Sequence, residues 1–154
     1  IGHIKEIISI YPNACFINIH RSPIKSIASF CSLTKNIRSA FTRNVDNAEI
    51  GKTVIDFWQN NLNKGINQRK LLGQNQIVDI NYSEFIKNPL DVIKDTYSVL
   101  GFDIDIETEN KMERYLIKQN QMKKEKHSYS LEEFDLSQEI VNDHFNDYMI
   151  DHGF

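Results

Sequence analysis

The stretch Ala14-Cys15-Phe16-Ile17-Asn18-Ile19-His20-Arg21-Ser22-Pro23-Ile24-Lys25-Ser26-Ile27-Ala28-Ser29 decides how this chain is read. Ala14 to Ile19 is a short, nearly continuous apolar run, the pattern of a strand covered on both faces in a parallel sheet. The basic residue Arg21 follows it. Pro23 comes next, with a φ already suited to the first turn of a helix. Ile24, Ile27, Ala28 and Cys31 then recur at helical spacing and predict a helix over residues 23–40. Strand, turn and helix in that order put Arg21 at the carboxyl edge of a parallel sheet, where α/β proteins bind their ligands. Ser22, Ser26 and Ser29 fall on a face of the helix away from the apolar stripe. A guanidinium can fork onto two phosphate oxygens and keeps its charge at any relevant pH. The Ser29 hydroxyl can donate to the same anion, and the helix N-terminus adds amide groups and a favourable dipole. Arg21 and Ser29 are therefore candidate phosphate ligands. The same residue types also fit an Arg paired with a surface carboxylate and a Ser facing water, so the rest of the chain has to decide.

Upstream, Ile4, Ile7, Ile8 and Tyr11 have helical spacing over residues 1–10, ended by Pro12-Asn13. The chain does not begin with Met, and that helix reads as one entered partway along, as in a fragment or excised domain. Downstream, residues 41–48 are polar and loop-like. Residues 49–72 predict a long helix with Val54, Ile55, Trp58, Leu62 and Ile66 inward and Gly73 as its C-terminal cap. Gln76 to Tyr82 predicts a second strand. Asn88-Pro89 opens a helix in a cap-plus-first-turn arrangement, with Leu90, Ile93, Tyr97 and Leu100 as its stripe and Gly101 as its stop. Residues 107–121 predict a helix with Met112, Tyr115 and Leu116 inward. A basic loop, Lys123 to His127, follows. Ser130 and Glu133 have the spacing of a capping box, and residues 137–150 predict a last helix burying Ile140, Val141, Phe145, Tyr148 and Met149. Two strands with helices on both faces are marginal alone, a second sign of a larger parent.

The chain has 154 residues, enough for one domain with a real core, and 40% hydrophobic and 25% charged residues place it among ordinary globular proteins. No apolar run reaches membrane-spanning length, which argues against a membrane partner. Net charge is −3 but segregated. Residues 1–43 carry Lys5, Arg21, Lys25, Lys35, Arg38 and Arg43 against Glu6, whereas residues 130–154 carry seven acids and no Lys or Arg. A basic end suits a small anion. It is too sparse for a nucleic-acid face, and no nucleic-acid motif is present. Cys15 and Cys31 have no metal-ligand spacing and read as two reduced core thiols, consistent with a cytoplasmic setting. No metal site is expected, and Glu132-Glu133 have no partners in a ligating arrangement.

Four segments in register resemble one family. Tyr11-Pro-Asn-Ala14 before the strand, His20-Arg-Ser-Pro23 after it, and Ser29-Phe30 in the helix resemble the PAPS-dependent sulfotransferases, in the bacterial branch related to protein-tyrosine sulfotransferases. Asp79-Ile-Asn-Tyr82-Ser-Glu-Phe-Ile-Lys-Asn-Pro89 is similar to the family's second strand and following turn. Tyr97-Ser-Val-Leu-Gly101 is similar to the helix end after it, and Lys126-His-Ser-Tyr129 to the family's C-terminal loop. Tyr148 matches a recurring aromatic of the last helix. The resemblance implies a three-layer α/β fold of the P-loop nucleotide-hydrolase type, here as a single-domain C-terminal part with few parallel strands and many helices. It implies that Arg21 and Ser29 hold the 3′-phosphate of PAPS (3′-phosphoadenosine 5′-phosphosulfate). It places Tyr82 near the adenine, and Lys126 and His127 as phosphate or adenine contacts.

The implied activity is transfer of a sulfuryl group from PAPS to a hydroxyl or amine of unknown identity. The family's Gly-rich phosphate loop is absent, and its usual base, a His in a Lys-x-Pro-x-His segment, would precede Ile1. No catalytic residue is therefore assigned: His3 sits in the place of a basic helix residue, and His20 and His127 read as polar loop residues. The chain alone is expected to be inactive. Two other readings stay open, a P-loop small-molecule kinase fragment and a non-catalytic interaction domain on the same fold.

Overall fold

The computed structural model describes residues 2–121 and 128–154. In chain order it contains α1 (Ile4–Ile10), β1 (Phe16–His20), α2 (Pro23–Ser39), α3 (Asn47–Arg69), β2 (Ile77–Asn81), α4 (Tyr82–Lys87), α5 (Pro89–Val99), α6 (Ile106–Gln121), a 3-10 turn (Glu132–Phe134) and α7 (Gln138–His152). The protein is mixed α/β, mostly helical with a parallel two-stranded sheet. The chain forms two compact units. A sheet unit is built from Lys5–His20 and the described residues from Leu71 to Gln121, and a helical unit chiefly from Arg21–Lys70 and Ser128–Phe154.

In the sheet unit β1 and β2 run parallel, with Phe16 opposite Ile77, Asn18 opposite Asp79 and His20 opposite Asn81. The pleat sends alternate residues to opposite faces. Ile17, Ile19, Val78 and Ile80 share the apolar face. Asn18, His20, Asp79 and Asn81 share the other, so neither strand is apolar on both faces as the run in β1 predicted. Gln76 ties the strand entries together. Its carbonyl accepts from the Phe16 amide (2.7 Å), and its side-chain amide donates to the Pro12 carbonyl (2.9 Å). Asn81 ends β2 and caps α4, accepting from the Ser83 amide at 2.9 Å. Tyr82 opens the short helix α4, where the sequence pattern continues the strand. Asn88-Pro89 opens α5 as expected, although the Asn88 side chain makes no capping bond. Gly101 ends it with φ +79°, a conformation open to glycine at little cost. Asp105 accepts from the Thr108 amide (2.7 Å) at the start of α6, and Lys94 pairs with Glu109 (2.7 Å) between α5 and α6.

In the helical unit one core joins Ile27, Ala28 and Cys31 of α2, Ile50, Val54 and Ile55 of α3, Val141 and Phe145 of α7, and Leu131, Phe134 and Leu136 around the 3-10 turn. Asp46 caps α3 by accepting from the Glu49 amide, and Ser137 caps α7 by accepting from the Ile140 amide. Lys35 reaches Glu133 (2.6 Å) and Arg38 reaches Glu49 (3.3 Å), holding α2 against the turn and α3.

Several expectations are corrected. Helix α3 ends at Arg69, and Gly73 lies beyond it, its amide held by Gln76 Oε1 instead of capping the helix. Trp58 and Ile66 of α3, Tyr115 of α6 and Ile140 of α7 are exposed, not inward. Ser130 and Glu133 form no capping box: Ser130 Oγ donates to Glu132 Oε2 at 2.6 Å, and the turn has no side-chain cap. Cys15 precedes β1 and is exposed, whereas Cys31 is fully buried; both are free. Among the described residues no helix is long and apolar enough to cross a membrane.

Candidate functional site

Arg21 directly follows the last residue of β1, and its side chain is exposed. Ser22 is the N-cap of α2 (φ −47°, ψ 124°), but its hydroxyl makes no capping bond. Pro23 has no amide proton to satisfy. Helix geometry leaves the amides of Ile24 and Lys25 without an intrahelical acceptor. No acidic residue occupies the first turn, so nothing in it opposes an anion there.

Ser29 stands about two turns beyond Arg21, half-buried on α2. Thr34 and Ser39, further along the same helix, fold their hydroxyls back onto the carbonyls of Phe30 (2.8 Å) and Lys35 (2.8 Å). Among the described residues, the hydroxyls of Ser26 and Ser29 make no such bond. Arg21 and Ser29 thus lie in one compact unit, neither of them buried in its core. The N-terminal half of α2 offers open hydroxyls and backbone amides, with the Arg21 guanidinium two residues ahead of the helix.

The other candidates are more scattered. Tyr82 is the first residue of α4, half-buried, at the carboxyl end of β2 in the sheet unit. Lys126 and His127 lie outside the described residues. His3 is exposed. Burial pushes the Cys31 thiol up to about 11, which makes it a poor nucleophile. No group of three or more His, Cys, Asp or Glu among the described residues could hold a metal.

His20 departs from its reading as a polar loop residue. It is the last residue of β1 and only 5% exposed. Its Nε2 donates to Asp79 Oδ1 at 2.7 Å, and the Asn18 amide donates to the same oxygen at 3.3 Å. The three side chains form a polar cluster spanning the two strands. The signal for it was present in the alternation of polar residues at 18, 20, 79 and 81.

A protein-family model described as "Sulfotransferase family" matches residues 1–107. The fold is similar to that of the crystallised sulfotransferase STF9 from Mycobacterium avium, at 25% identity and a TM-score of 0.85 over 97% of this chain and 39% of that one. It is also similar to sulfotransferase STF1 from Mycobacterium tuberculosis H37Rv, at 25% identity and a TM-score of 0.80, over 95% of this chain and 38% of that one. The chain therefore spans about two fifths of the length of these solved relatives. No curated protein matches it.

Proposed function

Because the chain belongs to the sulfotransferase family, we propose that it is part of an enzyme that moves a sulfuryl group from PAPS to a hydroxyl or amine, and that this part grips the 3′-phosphate of the donor. The observation that carries this reading is the opening of α2. An exposed Arg21 and an open Ser29 hydroxyl flank a helix start whose amides are uncapped and whose first turn has no acid. Each is a donor, and an anion with several oxygens is what such a set can satisfy together. The 3′-phosphate also separates PAPS from ATP, so the same contacts give both affinity and donor selection.

Tyr82 is assigned to the adenine, and Lys126 and His127 to the donor's phosphates or base, on the resemblance of their segments to the family. PAPS supplies an activated sulfuryl group on a phosphate leaving group. This chain's part is to hold the donor's ribose end so that the group to be transferred is presented in a fixed direction. The base that takes the acceptor proton is not assigned to any residue here. The whole protein is proposed to have the three-layer P-loop nucleotide-hydrolase arrangement, with β1 and β2 as two of its parallel strands.

Calorimetry on the full-length protein tests this reading. The product nucleotide PAP (3′-phosphoadenosine 5′-phosphate) should bind at least about tenfold more tightly than ADP, the ratio set by one charge-assisted phosphate contact. ADP binding as tightly as PAP would favour a kinase.

A further inference from the structure

The turn that follows α2 lies wholly within the helical unit and is not used by the reading above. Beyond Ser39 the chain turns once more, with the amides of Phe41 and Thr42 donating to the Arg38 carbonyl at 2.9 and 3.0 Å. This turn borders a cavity of about 450 Å³ lined by Ser39, Ala40, Phe41, Thr42 and Arg43. The volume falls in the range of pockets that hold small organic molecules. Phe41 is 88% exposed, and Leu33 and Ile37, at spacings of four along the same face, are 52% and 54% exposed. Apolar patches rimmed by polar groups mark ligand-binding surfaces, whereas single exposed side chains carry no such meaning. Arg43 supplies charge. Lys35 and Arg38 are already held by Glu133 and Glu49, but Arg43 is exposed and makes no ion pair among the described residues. No acid lies between residues 34 and 45. The next in sequence, Asp46, accepts from the Glu49 amide as the cap of α3. A cation near a helix C-terminus gains from the dipole, yet that gain requires neither an aromatic neighbour nor a cavity. An exposed ring and an unpaired guanidinium two residues apart match a ligand with a flat apolar body and an anionic group. The ring can stack, and the fork can take two oxygens of a carboxylate or sulfate.

We infer that this cavity is a binding site for a small ring-bearing anion, separate from the proposed phosphate site at the other end of α2. The two ends of this 17-residue helix are about 25 Å apart. A molecule that fits the cavity does not span that distance, so binding here is independent of the role given to Arg21 and Ser29.

The experiment measures binding of three probes to the full-length protein by fluorescence or NMR titration: naphthoate, which has ring and charge, naphthamide, which has the same shape without the charge, and acetate, which has the charge alone. Naphthoate should bind about tenfold more tightly than naphthamide, the scale of one charge-assisted contact, and acetate should show no saturable binding. Arg43→Ala should weaken naphthoate about tenfold and leave naphthamide unchanged. Phe41→Ala should weaken both ring compounds roughly two- to tenfold, the scale of an aromatic contact. Both variants should keep the wild-type urea midpoint and the wild-type affinity for PAP. Equal affinity for naphthoate and naphthamide would overturn the inference, as would naphthoate binding that neither substitution alters. Displacement of naphthoate by PAP would also overturn it, by placing the probe in the donor site.

Discussion

Gly51 of α3 and Phe134 of the 3-10 turn meet backbone to backbone. A Cβ on Gly51 would overlap the Phe134 carbonyl oxygen and press on Leu136 Cγ at 3.1 Å. Two effects of Gly51→Ala oppose each other. Alanine is favoured over glycine in a helix interior by about 1 kcal/mol, whereas overpacking a core contact costs about 1–3 kcal/mol. A backbone carbonyl cannot move aside by changing rotamer, so the contact should win. Gly51→Ala is expected to lower the urea midpoint, with a net loss of up to about 2 kcal/mol. An unchanged or higher midpoint would mean that the turn does not seat on α3.

Phe134 and Phe41 are the same residue type in opposite settings, 1% and 88% exposed. Phe134→Ala should cost about 3–5 kcal/mol by emptying the centre of the helical unit. Phe41→Ala should stay within about 0.5 kcal/mol, as surface substitutions do. Denaturant titration of the two variants side by side checks the placement of the core. Similar costs would contradict it.

The cysteines should separate by reactivity. Cys15 is exposed, while burial pushes the Cys31 thiol up to about 11. Maleimide at neutral pH should label Cys15 alone in the folded protein and both residues after denaturation. A thiol whose pKa is raised by folding contributes stability that is complete below the ordinary thiol value of 9.0 and is lost as pH rises through about 11. Rapid labelling of both thiols at neutral pH would contradict the burial of Cys31.

How much of this was legible in the sequence can be judged residue by residue. The turn from β1 to α2 was legible because an apolar run, Pro23 and the Ile27-Ala28-Cys31 stripe each point to the same local structure. The stop of α5 at Gly101 was legible because a left-handed φ selects glycine. Gly73 misled because a glycine after a helical pattern marks a turn without fixing where the helix frays, and α3 gives way at Arg69. Helix α4 was missed because six residues with only Phe85 and Tyr82 partly buried carry no periodic stripe; the Asn81 cap starts it. Trp58, Ile66 and Tyr115 sit where helical spacing allows an inward face, but spacing does not say which arc of the helix a neighbour covers. Arg21 and Ser29 could be picked out by residue type and separation. The His20–Asp79 bond needed the strand register, which joins residues 59 positions apart.

Calorimetric titration of full-length variants with PAP tests most directly whether Arg21 and Ser29 bind the donor's 3′-phosphate. Arg21→Ala should weaken PAP about 10- to 100-fold, the loss of a charge-assisted contact, and Ser29→Ala a few-fold to about tenfold, the loss of a neutral one. Arg21→Lys should fall between wild type and alanine, because the charge remains and the fork is lost. PAP binding unchanged in both alanine variants of a folded protein would contradict the assignment.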